Sequence, residues 1–261
     1  LSFFHDVQAQ AGLLNCIQYL MTTRESLPPI PFFDRLTLEE GTVLALNKPL
    51  YWTSFDVVKK LRSILSVKKV GHAGTLDPLA TGLLLVCTGK KTKTMSHYQD
   101  LEKVYAGEMV LGKTTPSIDL ETDFDSEQPY KHITEAAIYK LALTFVGHTR
   151  QIPPAYSAIK SHGERAYKKA RQGQKMILAP RQVFIRSFVV TSISVPSIKF
   201  EVTCGKGTYI RSLVHDFGEQ LGVGAYLNAL CRTRIGPFRL EDAYRVEDLP
   251  RHQLMHNYLL P

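Results

Sequence analysis

Two short runs hold the residue types that do chemistry. The first is the twelve residues from Gly71 to Gly82 (GHAGTLDPLATG), which contain three glycines, one proline and a single carboxylate, Asp77. Glycine lets backbone come close to a ligand, and Pro78 fixes the chain beside Asp77, so the run positions one acid. The plainer alternative is a turn in which Asp77 bonds nearby N–H groups. No Gly-Lys-Ser/Thr ends the run, so it is not a phosphate-binding P-loop. The second run is Cys204 to Arg211 (CGKGTYIR), at the start of an amphipathic helix whose free N–H groups, with Lys206 beside them, can hold an anion. Tyr209 and Arg211 flank Ile210 and can both face one cleft, unless they are an ordinary surface tyrosine and arginine. Together the runs supply a carboxylate, a guanidinium and an aromatic ring. No Cys-His or Ser-His-Asp spacing competes with them. Of the nine histidines only His252 and His256 form a pair at helical spacing, with no third ligand nearby, so no zinc site is expected.

The flanking patterns say which elements carry these runs. Residues Thr42 to Asn47 read as a strand leading into Asn47-Lys48-Pro49. Thr53 to Asp56 has the form of a capping box, and Val57, Val58, Leu61, Ile64 and Leu65 then follow helical spacing. Leu83 to Cys87 is a short buried strand bounded by glycines, and Lys103 to Gly112 alternates as another. A helix is expected over Ile133 to Phe145, and two strands over Arg181 to Cys204, broken at Pro196. After Gly207 the helix carries Ile210, Leu213, Val214, Phe217 and Leu221 on one face. Strands and helices mix without regular β-α-β alternation, which predicts an α+β fold.

Composition narrows the class. The 261 residues carry 32 Lys plus Arg against 24 Asp plus Glu and are 44% apolar, enough for an ordinary core in one or two domains. Apolar runs fall far short of the roughly 20 residues that span a bilayer. The separated cysteines Cys16, Cys87, Cys204 and Cys231 fit reduced, buried thiols in a cytoplasm. No secretory signal is read in residues 1–20, and Met21 offers a start for the native product. The charge is uneven. Lys160 to Arg186 holds eight basic residues against one acid, Glu164, whereas Asp119, Glu121, Asp123, Asp125 and Glu127 cluster the opposite sign. A basic cluster flanked by Tyr156 and Tyr167 suits a polyanion whose bases stack, or else is a solvated face.

Several motifs in order then carry a resemblance: Asn47-Lys48-Pro49, the run from Gly71, Lys103-Val104-Tyr105, the QIPPAYS run from Gln151, Lys206 to Arg211, and Leu221 to Ala225. From about Gly41 to about Tyr244 the chain resembles the bacterial tRNA pseudouridine synthases of the TruB family. The resemblance implies a pseudouridine synthase fold with a mixed, largely antiparallel central sheet flanked by helices. It implies isomerisation of uridine 55 in the tRNA T arm to pseudouridine, without cofactor or metal. Asp77 matches the catalytic aspartate, acting as nucleophile or general base near C1′ and C6 of the uridine. Arg211 matches the arginine that pairs with it, and Tyr105 the tyrosine that stacks on the flipped base. Tyr209, Leu230, His72 and Lys48 match further substrate-binding positions.

Departures from the family set the remaining expectations. Asn47 stands where Asp is common. Only 17 residues follow Tyr244, too few for a C-terminal RNA-binding PUA domain. The organisation expected is an N-terminal extension over 1–40, dispensable at least to residue 20, a catalytic domain over 41–244 and a short tail over 245–261. An inserted basic arm bearing Arg165, Lys168, Lys169 and Arg171 is expected to grip the tRNA elbow. The expected partner is tRNA alone, bound by a monomer with no membrane association and no obligatory protein partner.

Overall fold

The computed structural model describes residues 35–157, 159–161, 164–172 and 178–249. The expectations for residues 1–20, for Cys16, for His252 and His256, and for most of the tail lie outside the described residues. In chain order the elements are α1 (Arg35–Glu40), β1 (Val43–Lys48), α2 (Ser54–Leu65), β2 (Val70–His72), β3 (Ala80–Thr88), a 3-10 turn (Gly89–Thr94), α3 (Met95–Asp100), β4 (Lys103–Leu111), β5 (Lys113–Thr114) and β6 (Ser126–Glu127). Then come α4 (Glu135–Thr144), β7 (Gly147–Gln151), β8 (Lys160–Ser161), β9 (Glu164–Arg165), α5 (Ala166–Arg171), β10 (Arg181–Ser194), β11 (Ser197–Cys204), α6 (Ile210–Gln220), β12 (Ala225–Ile235), β13 (Phe238–Arg239) and β14 (Tyr244–Arg245). The described residues fall into two compact units, one over 35–105 and 231–249, the other over 106–230. The boundaries lie within β4 and β12.

The first unit holds Asp77. Its strands run in the order β14-β1-β3-β12, with β2 added to β3; β1 is parallel to β14 and antiparallel to β3, so the sheet is mixed. Alternation along β1 sends Leu44, Leu46 and Lys48 inward. Those leucines pack with Val57, Val58, Leu61 and Leu65 of α2 and with Leu84 and Val86 of β3. The other face of β3 presents Leu83 and Leu85 to Ala73, Cys231, Ile235 and Leu240. Burial on both faces is why β3 reads as a continuous apolar run, not an alternating one. The capping box foreseen at α2 is present: Asp56 N–H donates to Thr53 Oγ1 at 3.1 Å, and Thr53 N–H donates to Asp56 Oδ2 at 2.8 Å.

The second unit holds Arg211. Its strands run β4-β11-β10-β7, and β10 and β11 form the hairpin expected around Pro196. A cluster of Phe145, Phe188, Phe200 and Phe217 fills the space between this sheet and helices α4 and α6; the Phe145 and Phe217 rings stack with centroids 5.8 Å apart. At Gly218 an added Cβ would lie 2.3 Å from the Ala225 backbone nitrogen, so α6 can turn into β12 this tightly only with glycine there. In the basic stretch β8 pairs antiparallel with β9, which carries Arg165, and α5 carries Lys168, Lys169 and Arg171.

The sequence patterns foresaw the strands at β1, β3, β4, β10 and β11 and the helices α2, α4 and α6, each within a few residues. The short strands β2 and β7 and the long β12 were not foreseen. The β12 segment (AYLNALCRTRI) places Arg232 among buried positions, which breaks the apolar signature of a core strand. Cys87, Cys204 and Cys231 are buried. No helix among the described residues is long and apolar enough to cross a membrane.

Candidate active site

The residues named from sequence divide between the two units. In the first are Lys48, His72, Asp77 and Tyr105; in the second are Tyr209, Arg211 and Leu230.

In the first unit the loop bearing Asp77 is tied down on both sides. Before it, Leu76 N–H donates to Ser54 Oγ at 2.8 Å and Ser54 Oγ donates to Leu76 O at 3.2 Å. After it, Pro78 O accepts from Tyr51 N–H at 2.8 Å and from Lys48 Nζ at 3.4 Å, while Ala80 N–H donates to Asp77 O at 3.1 Å. Tyr51 holds a left-handed conformation, φ 66°, to make its bond. A non-glycine residue adopts that conformation only when its surroundings hold it there. Asp77 itself is half-buried. The loop is a fixed mount for one half-accessible carboxylate.

Lys48 is fully buried and satisfies its ammonium with carbonyls, donating to Pro49 O at 2.9 Å and to Trp52 O at 2.6 Å. Burial brings its pKa down from 10.5 to about 8; the Asp77 charge opposes that fall and the Arg232 charge adds to it. Below pH 8 the folded chain carries the cost of a buried charge. Between 8 and 10.5 the folded form loses its proton before the unfolded form does, so stability rises with pH across that window. The unfolding free energy of the wild type relative to Lys48→Met should therefore climb by up to about 3 kcal/mol across it. Urea titrations at a series of pH values measure this, and a flat difference would contradict it.

His72 is held below its ordinary pKa, first by burial and then by the Arg232 charge, against a hydrogen bond with the Gly74 backbone. Burial thus favours its neutral imidazole form. Tyr105 is 9% exposed, and the Arg232 guanidinium carbon lies 6.0 Å from its ring centroid.

In the second unit Arg211 sits in the first turn of α6 and is 3% exposed. Its Nε is 3.7 Å from Asp119 Oδ2, Nη1 donates to Ser117 O at 3.1 Å and Nη2 donates to Tyr156 O at 2.9 Å. Asp119 is placed by a tight turn in which Ile118 takes φ 66°, locked because Leu227 N–H donates to Ile118 O at 2.8 Å. Tyr209 is fixed through its backbone: its N–H donates to Gln151 Oε1 at 2.8 Å, and Gln151 Nε2 donates to Tyr209 O at 3.0 Å. Leu230 is 8% exposed on β12. Lys206, by contrast, is exposed beside the helix start.

Comparison with known proteins gives this arrangement its context. Residues 62–210 match the family described as "TruB family pseudouridylate synthase (N terminal domain)", and residues 211–259 match "tRNA pseudouridylate synthase B C-terminal domain". The chain belongs to the TruB family. The tRNA pseudouridine synthase B of Flavobacterium johnsoniae is 48% identical over 211 residues, covering 78% of this chain and 92% of the relative. That of Bacteroides fragilis strain YCH46 is 50% identical over 212 residues, covering 79% and 91%. Among solved structures, a Cbf5-Nop10-Gar1 complex superposes with a TM-score of 0.64 at 30% identity, over 86% of this chain and 59% of that one. An H/ACA RNP bound to a substrate RNA containing 2′-deoxyuridine superposes with a TM-score of 0.61 at 30% identity, over 81% and 53%. This TruB-family chain thus spans less than two thirds of those two proteins.

Three residues beside the site were missed by reading the sequence of this TruB-family member. Asp119 lies in an acidic run that the sequence marks only as clustered negative charge, yet it is 5% exposed against Arg211. Gln151 opens a recognised motif but carries no chemistry of its own. Arg232 is 1% exposed. A charged residue two places after an apolar one on an unforeseen strand gives no local signal of burial.

Proposed function

We propose that this chain isomerises uridine 55 in the T arm of tRNA to pseudouridine, with Asp77 as the acting carboxylate. The observation that carries the reading is the tethered Asp77 loop in a chain 48% identical to a tRNA pseudouridine synthase B over nearly all of that relative. In the reaction the N1–C1′ bond breaks, the uracil turns, and a C5–C1′ bond forms. The proton lost from C5 is balanced by one gained at N1, so no redox partner is needed. Asp77 acts as nucleophile or general base on the detached-base chemistry. The target base must leave the stack to be reached, and Tyr105 provides a ring against which it rests. His72, as a neutral imidazole, contacts RNA without adding charge. Tyr209 and Leu230 serve substrate binding, Lys48 serves it indirectly by holding Pro78 O beside Asp77 with its buried ammonium, and Arg211 supports the carboxylate chemistry. Incubating the purified protein with unmodified tRNA transcript and mapping pseudouridine tests the reading; absence of pseudouridine at position 55 would overturn it.

The reading includes an RNA-gripping role for Arg165, Lys168, Lys169 and Arg171, supported by the clustering of basic residues along Lys160 to Arg186. Replacing all four with Gln should weaken tRNA binding and make its salt dependence shallower by at most about 3 to 4 units of slope. Turnover at saturating tRNA should change little. An unaltered slope in a salt series would remove this role.

A further inference from the structure

Arg232 is a buried guanidinium, and it is spent on the backbone of the Asp77 loop. Its Nε donates to Leu83 O at 2.7 Å, Nη2 to Gly74 O at 3.2 Å and Nη1 to Thr75 O at 3.5 Å. Gly74 and Thr75 form the limb leading into Asp77, and Leu83 lies on β3 just beyond the loop. One planar fork therefore closes the loop across its base. The backbone of β12 comes close enough to allow this because Gly82 has no side chain: a Cβ there would lie 2.4 Å from Arg232 O and 2.7 Å from Arg232 N. Gly82 also takes φ +102°, which L side chains rarely adopt. The same guanidinium carbon stands 6.0 Å from the Tyr105 ring centroid.

Burying a charge is costly, and the carbonyls that accept from this guanidinium offset part of that cost. What an apolar side chain would not do is hold two carbonyls of one limb and a third on the next strand in a set geometry. Lysine, a point charge on a flexible stem, does not reproduce the fork. We propose that Arg232 is a positioning residue: it fixes the Gly74–Thr75 limb against Leu83 and the Tyr105 ring, and so sets where Asp77 stands relative to the base stacked on Tyr105, without itself touching RNA. The inference rests on the reading of Asp77 as the acting carboxylate. Displacing reacting groups by about 1 Å costs on the order of 100-fold in rate.

The test uses the full chain with Arg232→Lys, which keeps the charge and loses the fork. The expected result is tRNA affinity within about 3-fold of wild type, with a single-turnover rate about 100-fold lower. In the same variant the amides of Leu76, Tyr51 and Ala80, which bond across the loop, should exchange hydrogen faster, while that of Leu213 in α6 keeps its wild-type rate. Faster exchange at Leu213 as well, or affinity falling as much as rate, would mark a general structural role and overturn the proposal. So would a wild-type rate. If the lysine variant does not fold, Arg232→Gln is measured in the same way. The wild-type protein gives a further reading: the Arg232 Nε–H must exchange slowly, and exchange as fast as at an exposed arginine would overturn the clamp. Asp77→Asn is run in parallel. Turnover by that variant would remove the reading of Asp77, while the loop amides in Arg232→Lys would still decide whether Arg232 holds the loop.

Discussion

Asp77→Asn is expected to lower single-turnover pseudouridine formation by about 10⁴-fold or more, on the scale of losing a nucleophile or its base, while leaving tRNA affinity within a few-fold. The two quantities separate because affinity for a polyanion resides mainly in phosphate contacts spread over the surface, whereas Asp77 is one carboxylate on a tethered loop. The asparagine side chain is nearly isosteric. It leaves Ser54, Tyr51 and Lys48 with their present partners, since those bonds go to the backbone of Leu76 and Pro78 and not to the carboxylate. Melting temperature should therefore move little. Filter binding, single-turnover kinetics and thermal melting on one preparation check all three statements. Wild-type-like turnover would take Asp77 out of the mechanism, and a collapse of affinity would merge two effects that the geometry keeps apart.

The second large effect is expected at Asp119. Removing one partner of a buried ion pair takes away part of what compensates the other charge, at a cost of about 3 to 5 kcal/mol. Both side chains are nearly inaccessible, at 3% for Arg211 and 6% for Asp119. Asp119→Ala should thus lower the melting temperature by about 10 °C for a chain of this size. Pairing Asp119→Leu with Arg211→Met removes both charges together. Stability should then recover, because the desolvation cost disappears along with the attraction. Turnover should not recover if Arg211 supports the carboxylate chemistry. A double variant as unstable as the single one would show that the Asp119–Arg211 attraction is not what stabilises this corner. One that regained full turnover would remove Arg211 from the reaction.

How far each residue was legible follows from where its partners lie. Asp77, Tyr105, Tyr209 and Arg211 sit in short, dense motifs, so their identity and order were readable along the chain. The elements that carry them were readable too, since a capping box, an apolar run or a helical stripe is a pattern of neighbours. Asp119 was not, because an acidic residue in an acidic run shows only clustered negative charge until a turn through Ile118 carries it to a guanidinium far along the chain.

What the sequence by itself determined was the chemistry available and the local scaffolding: one acid on a glycine-rich loop before a buried strand, an arginine and a tyrosine at a helix start, and an α+β mixture without regular alternation. What only the tertiary structure decided was the state of the charged groups. Lys48, which the sequence offers only as a match to a substrate-binding position, occupies the inward face of β1, where burial brings its pKa to about 8. Arg232, which no sequence motif singles out, bonds Gly74, 158 residues away along the chain. The physical reason is that a charge enters a core only when donors or acceptors from other elements meet it there. Secondary structure arises from patterns over a few neighbouring residues, whereas those partners are set by how distant strands and loops pack.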